Sequence, residues 1–176
     1  MNREDIYSSA AFAVCVKRFH TWNMIREQTV GQHTCRMLQI YCEIFGVPRG
    51  EVLYYGLHHD SGELFAGDNP ASAKWEVPTL KQGSDDAEKV GMSKLGIEMP
   101  TLTKLEFSRI KIVDALELWE FASGDLHMGN KFARPIVVAC RKVALERSEN
   151  SPDSSGRENL AVEQWIRKEE TRYGRG

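Results

Sequence analysis

The chain has 176 residues, 41% hydrophobic and 27% charged, enough to bury a sizeable core and too apolar for a disordered segment. Its 23 Lys and Arg against 25 Asp and Glu leave a net charge of −2, which argues against bulk binding of duplex nucleic acid while allowing a local basic pocket. No stretch approaches the roughly 18 consecutive apolar residues of a membrane span. The charged start MNREDIYSSA, with no adequate apolar run after it, predicts no signal peptide. The four cysteines (Cys15, Cys35, Cys42, Cys140) form no CxxC pair and have apolar neighbours, which predicts reduced, buried thiols in a soluble cytoplasmic protein.

Taken in chain order, the elements read as helices. Ile6, Ala10, Val14 and Cys15 recur at helical spacing between Asp5 and Phe19. Val30, Thr34, Met37, Leu38, Tyr41, Ile44 and Phe45 make a clearer stripe, stopped by Gly46 with Pro48 beyond it. A third helix is expected from about Arg49 to Phe65, with Val52, Leu53, Gly56 and Leu57 inward. AGDNPASAKW reads as a loop. Asp85 or Asp86 would cap a helix running to Leu95 and ended by Gly96. Thr103 and Glu106 have capping-box spacing at the head of a long periodic segment. Residues 131–147 continue helically, with Pro135 as a start or kink. A polar loop, ENSPDSSGR, precedes a last amphipathic helix over about 158–173. With no alternating strand pattern, the expectation is one all-α domain over 1–176.

Against this background the stretch LHHDSGE is anomalous, because it crowds titratable groups into a core helix. His33 lies three after Val30 and four before Met37; His59 lies seven after Val52, and Asp60 seven after Leu53; Asp114 lies seven after Phe107 and four after Ile110. Each therefore falls on an apolar face. A lone buried histidine is ordinarily a satisfied core residue, and a lone buried aspartate a cap or ion-pair partner. Four on three separate faces are harder to explain, since unpaired buried charge costs several kcal/mol per group. A divalent cation would compensate all four in one mixed N/O site.

The order His, His-Asp, Asp resembles the HD-domain metal-dependent phosphohydrolases, over residues 14–147. The resemblance implies an HD-domain helical bundle in which His33, His59, Asp60 and Asp114 hold one divalent metal. His58, turned by about 100° from His59, would then be a packing residue unless the register slips by one. RFHTWNMIREQTVGQH, HHDSGELFAGDNPASAK and KIVDAL are similar, more narrowly, to bacterial 5′-deoxynucleotidases and small phage dATP triphosphohydrolases. The latter serve genomes that replace adenine with 2-aminoadenine. In such relatives an Arg followed by an aromatic contacts the nucleotide. Arg18 and Phe19 match, although relatives often carry Trp there, which leaves Phe19 and Trp22 both as candidates for stacking on the base. Glu63 matches the glutamate of HDxxE and Asp68 the aspartate of GDxP.

These matches imply a deoxynucleotide substrate, dATP above all, a Zn²⁺, Co²⁺, Mn²⁺ or Fe²⁺ cofactor, and a homo-oligomer. Glu63, three after Asp60, is expected to orient the attacking water and handle its proton. Asp68 is read as a second proton carrier, a ribose 3′-OH ligand or an Asx-turn. Lys74 and Lys111, with Arg18, are candidates for the phosphates, or are surface charges. Arg26 is expected to anchor the turn before the second helix. Triphosphate release from dATP, phosphate release from dNMPs, and a non-catalytic nucleotide-binding module are the three functional readings.

Overall fold

The computed structural model describes residues 9–173, except the side chains of Ala71, Ser72 and Trp75. Helix α1, Ala10–Ala13, is one turn, capped by the Ser9 hydroxyl. It does not run on to Phe19 as its periodicity predicts, and residues 5–8 of that prediction lie outside the described ones. The backbone after Ala13 is drawn instead into non-local bonding. Val30 and Gly31 N–H donate to the carbonyls of Val16 and Val14. Strand β1, Lys17–Arg18, then pairs antiparallel with β2, Gln28–Thr29, placing Lys17 opposite Thr29 and Arg18 opposite Gln28.

Helix α2, Val30–Phe45, opens on a capping box in which Thr29 and Gln32 satisfy each other's backbone N–H. It stops at Gly46, whose φ of 83° is open to glycine at little cost. Its inner stripe is Val30, His33, Thr34, Met37, Leu38, Ile40 and Tyr41. Cys35 and Cys42, one heptad apart, fall on the opposite face with Gln39 and Glu43, and are exposed, as is Cys15. The expectation of four buried thiols therefore fails for three of them.

Helix α3, Gly50–His58, is shorter than its pattern predicts. Residues 59–62 form turns, tightened by bonds from Ser61 N–H to His58 O and from Glu63 N–H to Asp60 O. Helix α4, Glu63–Ala66, follows. Leu53 and Leu57, expected inward, are exposed, because α3 buries the Val52–Gly56 edge instead. The predicted loop holds only for residues 67–70, after which α5, Ala71–Glu76, and α6, Pro78–Lys94, are helical. Helix α6 begins well before Asp85 because Pro78, lacking an N–H, suits a first helical turn. The turn before α4 crosses α6 at near-contact. A Cβ on Gly62 would lie 2.5 Å from the Glu88 carbonyl, and one on Gly91 would lie 2.8 Å from the Gly62 carbonyl.

Helix α7, Lys104–His127, starts with the predicted Thr103–Glu106 capping box and is buried nearly all round, by Ile110, Ile112, Val113, Leu116 and Trp119 among others. It is the central rod. A 3₁₀ turn, Lys131–Ala133, leads into α8, Arg134–Glu149, with Pro135 in its first turn as a start rather than a kink. The last helix is α9, Arg157–Tyr173. Helices α2, α8 and α9 pack on α7 around Met37, Ile40, Leu116, Trp119, Val162 and Ile166, while α4 and α5 pack on α6. Among the described residues no helix is long and apolar enough to cross a membrane.

Candidate metal centre

Three elements bring the anomalous residues together. Helix α2 carries His33, the end of α3 and its turn carry His59 and Asp60, and α7 carries Asp114. One ligand atom each from His33, His59 and Asp60 lie within 4.8 Å of one another. Asp114 Oδ1 is 3.3 Å from His33 Nε2, and Asp60 presents Oδ2 at 3.7 Å to the same nitrogen and Oδ1 at 3.3 Å to His59 Nε2. The two rings are 5.5 Å apart. His58 turns away, with Nδ1 3.2 Å from the Ser61 hydroxyl and its ring against Tyr54, so His59 is the histidine of the pair that faces the cluster.

The donor set suits a cation. Among the described residues, neither Nε2 of His33 nor Nε2 of His59, both buried, has a hydrogen-bond partner. On each ring the other nitrogen faces an acceptor: His33 Nδ1 is 2.5 Å from Glu117 Oε2, and His59 Nδ1 donates to the Gly56 carbonyl at 2.9 Å. A ring that donates from Nδ1 keeps the Nε2 lone pair for a metal. Electrostatics agree in direction. Burial alone would raise the Asp114 carboxyl, but Lys111 and the two imidazoles hold it well below the ordinary range. Burial likewise opposes the charge on Asp60, and His59 and Arg18 outweigh it. Burial and Arg18 push the His33 imidazolium down, yet Glu117 and Asp114 outweigh them and bring it up to about 9.

Glu63 is buried at the edge of the cluster, and its Oε2 has no hydrogen-bond partner among the described residues. Burial, then the neighbouring Asp60, pushes its carboxyl up to about 9. Asp68 accepts from the backbone N–H of Phe19 at 3.1 Å, which ties the loop after α4 to the segment after β1. Phe19 has a φ of 56°, a strained value for an aromatic residue, and its ring stacks on Phe121 at 5.4 Å. Trp22 is 38% exposed.

The three expected phosphate cations are placed unequally. Arg18 is 2.8 Å from Asp60 and Lys111 is 3.3 Å from Asp114, both at the cluster. Lys74 is instead bonded to Glu88 at 3.0 Å, with Ser84 sharing that carboxylate. Pro78, in the first turn of α6, is exposed. Arg26 anchors the segment before α2 by bonding Asp125 at 2.9 Å and stacking on Phe121. A recess of about 600 Å³ opens beside His59, walled by Tyr55, Met92, Ile97 and Met99 with Asp85 and Glu88 at its rim.

The sequence reading missed Glu117 and Gln28. Glu117 is buried against His33, and its other oxygen accepts from Gln28 Nε2 at 2.6 Å. Its signal was present: it lies three after Asp114, another acid on the same apolar rod.

No protein-family model matches the chain, and no curated protein matches its sequence. Solved structures do. The HD phosphohydrolase DatZ of cyanophage S-2L, in a structure bound to dA and one catalytic Zn²⁺ ion, aligns with a TM-score of 0.73 over 92% of this chain and 95% of that one, at 17% identity. An HD-domain phosphohydrolase of Listeria innocua aligns with a TM-score of 0.64 over 95% of this chain and 88% of that one, at 14% identity. The all-α expectation is borne out: the fold is the HD-domain helical bundle, and its only sheet among the described residues is one two-residue strand pair.

Proposed function

We propose that this chain, which has the HD-domain fold, is a metal-dependent phosphohydrolase acting on a deoxynucleotide, with dATP the preferred substrate, cleaved to deoxyadenosine and triphosphate. One observation carries the reading: two imidazole Nε2 atoms, buried and unpartnered, face two carboxylates from other elements. The dA and Zn²⁺ bound to the cyanophage protein of the same fold support a deoxynucleoside moiety and a Zn²⁺-type cofactor here. Co²⁺ and Mn²⁺ suit the same nitrogen and oxygen donors.

A divalent cation held by His33, His59, Asp60 and Asp114 would supply Lewis acidity, making water nucleophilic near neutral pH and drawing charge from a phosphoryl oxygen. The chain's own residues do the rest. Water adds to the α-phosphorus as the bond from that phosphorus to the 5′ oxygen breaks. Glu63, whose carboxyl burial and Asp60 hold protonated, gives that proton to the departing 5′ oxygen and regains one from the attacking water. Arg18 and Lys111, already at the cluster, balance charge on the phosphates. Asp68 holds the Arg18–Phe19 segment through the Phe19 N–H and has a second oxygen for the ribose 3′-OH or a proton. Phe19, backed by Phe121 on one side, is better fixed for stacking on a base than the exposed Trp22.

A second reading, phosphate release from dNMPs, is favoured by the engagement of Lys74 with Glu88, which removes one cation from a triphosphate tail. A non-catalytic module has less support, because proton handling beside the cluster accounts for the buried Glu63 Oε2, which has no hydrogen-bond partner among the described residues. Incubating the purified chain with dATP, dGTP and dAMP under Zn²⁺, Co²⁺ and Mn²⁺, followed by chromatography and phosphorus NMR, tests all three. Triphosphate is the expected product. Orthophosphate from dAMP would transfer the assignment to the nucleotidase reading, and no product with nucleotide bound would overturn both.

A further inference from the structure

We infer that Glu117, held by Gln28, is a positioning residue that fixes the His33 ring with Nδ1 as its donor and Nε2 as its only ligand atom. The inference rests on the metal reading above. Asp60 and Asp114 face the Nε2 side of His33; Glu117 is on the opposite side of the ring, 2.5 Å from Nδ1. All three residues of the relay are buried, His33 at 0%, Glu117 at 2% and Gln28 at 3% exposure. A carboxylate is acceptor-only, so Nδ1 must donate to it, whereas an amide in its place could turn an NH₂ toward the ring and reverse the donor. The Glu117 carboxylate is itself pinned, since Oε1 accepts from Gln28 at 2.6 Å.

The relay reaches further than one ring. Gln28 stands opposite Arg18 in the strand pair, and Arg18 bonds Asp60. The same two-residue pairing therefore sets both the guanidinium at the cluster and the carboxylate behind His33. Outer partners of this kind orient a ligating histidine and raise its basicity, and their loss weakens metal affinity by about 10–100-fold. A merely structural buried acid would change stability alone.

The test uses the full chain and reads metal affinity rather than turnover. Co²⁺ is titrated into wild type, Glu117→Gln and Gln28→Ala by visible absorption, and nitrogen-15 spectra of the Zn²⁺-loaded proteins report the His33 ring. Wild type is expected to show a deshielded, hydrogen-bonded Nδ1 proton. Glu117→Gln is expected to keep its far-UV spectrum, lose that signal and bind Co²⁺ about 10–100-fold more weakly. Gln28→Ala is expected to show a smaller loss in the same direction, and it carries the test should Glu117→Gln fail to fold. Wild-type affinity in a folded Glu117→Gln protein, or in Gln28→Ala where only that variant folds, overturns the inference and leaves the metal reading standing. A wild-type chain that binds no Co²⁺ overturns both.

Discussion

Glu63 is buried and Cys140 half-buried, and both are displaced in pKa, but they lead to opposite chemistry. Glu63 sits at the cluster with an unpartnered oxygen, where a carboxyl can exchange a proton with water. Glu63→Gln keeps the shape and removes the exchange, so metal and nucleotide should still bind while the rate drops by roughly 10²–10⁴-fold. Single-turnover kinetics beside a metal titration checks this, and a wild-type rate would end the proton-handling role. The Cys140 thiol is pushed up to about 12, by burial first and then by Asp114 and Glu117. Thiolate is the reactive form. Timed alkylation of the native protein followed by peptide mapping should modify the exposed Cys15, Cys35 and Cys42 well before Cys140. Labelling of Cys140 at an equal rate would contradict its burial. Phe19 has an anomaly of the backbone instead, and its positive φ is held from two sides, by Asp68 on its N–H and Phe121 on its ring.

Helix α7 organises the site along one stripe. Asp114, Glu117, Phe121 and Asp125 follow at intervals of three, four and four, so they share a face. Asp114 reaches His33, Glu117 holds the same ring from behind, Phe121 backs Phe19, and Asp125 takes the Ile25 N–H and Arg26. The start of this rod depends on Thr103, whose hydroxyl accepts from the Glu106 N–H. Thr103→Ala should therefore reduce stability by about 1 kcal/mol in denaturant unfolding, with activity in folded protein retained. No change in the midpoint would show the cap to be redundant. The turn that carries Asp60 toward Glu63 depends on close approach to α6. Gly62→Ala would set a methyl 2.5 Å from the Glu88 carbonyl, forcing backbone to move. A destabilisation of about 1–3 kcal/mol is expected, with a lower rate as Glu63 shifts. A variant with wild-type melting and turnover would show that the crossing has slack.

At the scale of the whole molecule, the candidate ligands come from α2, the turn after α3, and α7, which lie far apart in sequence. An unfolded chain cannot assemble them, so a metal binds the native state almost alone and stabilises it by mass action. With free metal at 100 times its Kd the gain is about 2.7 kcal/mol, which for a chain of this size corresponds to a rise in Tm of roughly 5–10 °C. Thermal melts with Zn²⁺ and then with excess chelator should show that rise and its reversal. Identical melts in both would mean that no ion joins the three elements.

How much of this was legible depends on the range of the interaction. Thr29 and Thr103 caps, the Gly46 stop and the stripes of α2 and α7 are local, and the spacing of side chains along a helix is enough to reveal them. The convergence of His33, His59, Asp60 and Asp114 was legible for a related reason: buried charge on several apolar faces has few explanations other than a shared partner. Other features depend on partners many residues away. The β1–β2 pairing overrode the helical period after Ala13, and the Gly62–Gly91 crossing ended α3 inside an apparently continuous helix. Glu88 claimed Lys74, and Glu117 found Gln28, 89 residues away in the sequence. A sequence lists which groups need a partner, through propensity and periodicity, whereas the choice among partners is made by packing once the chain has closed on itself.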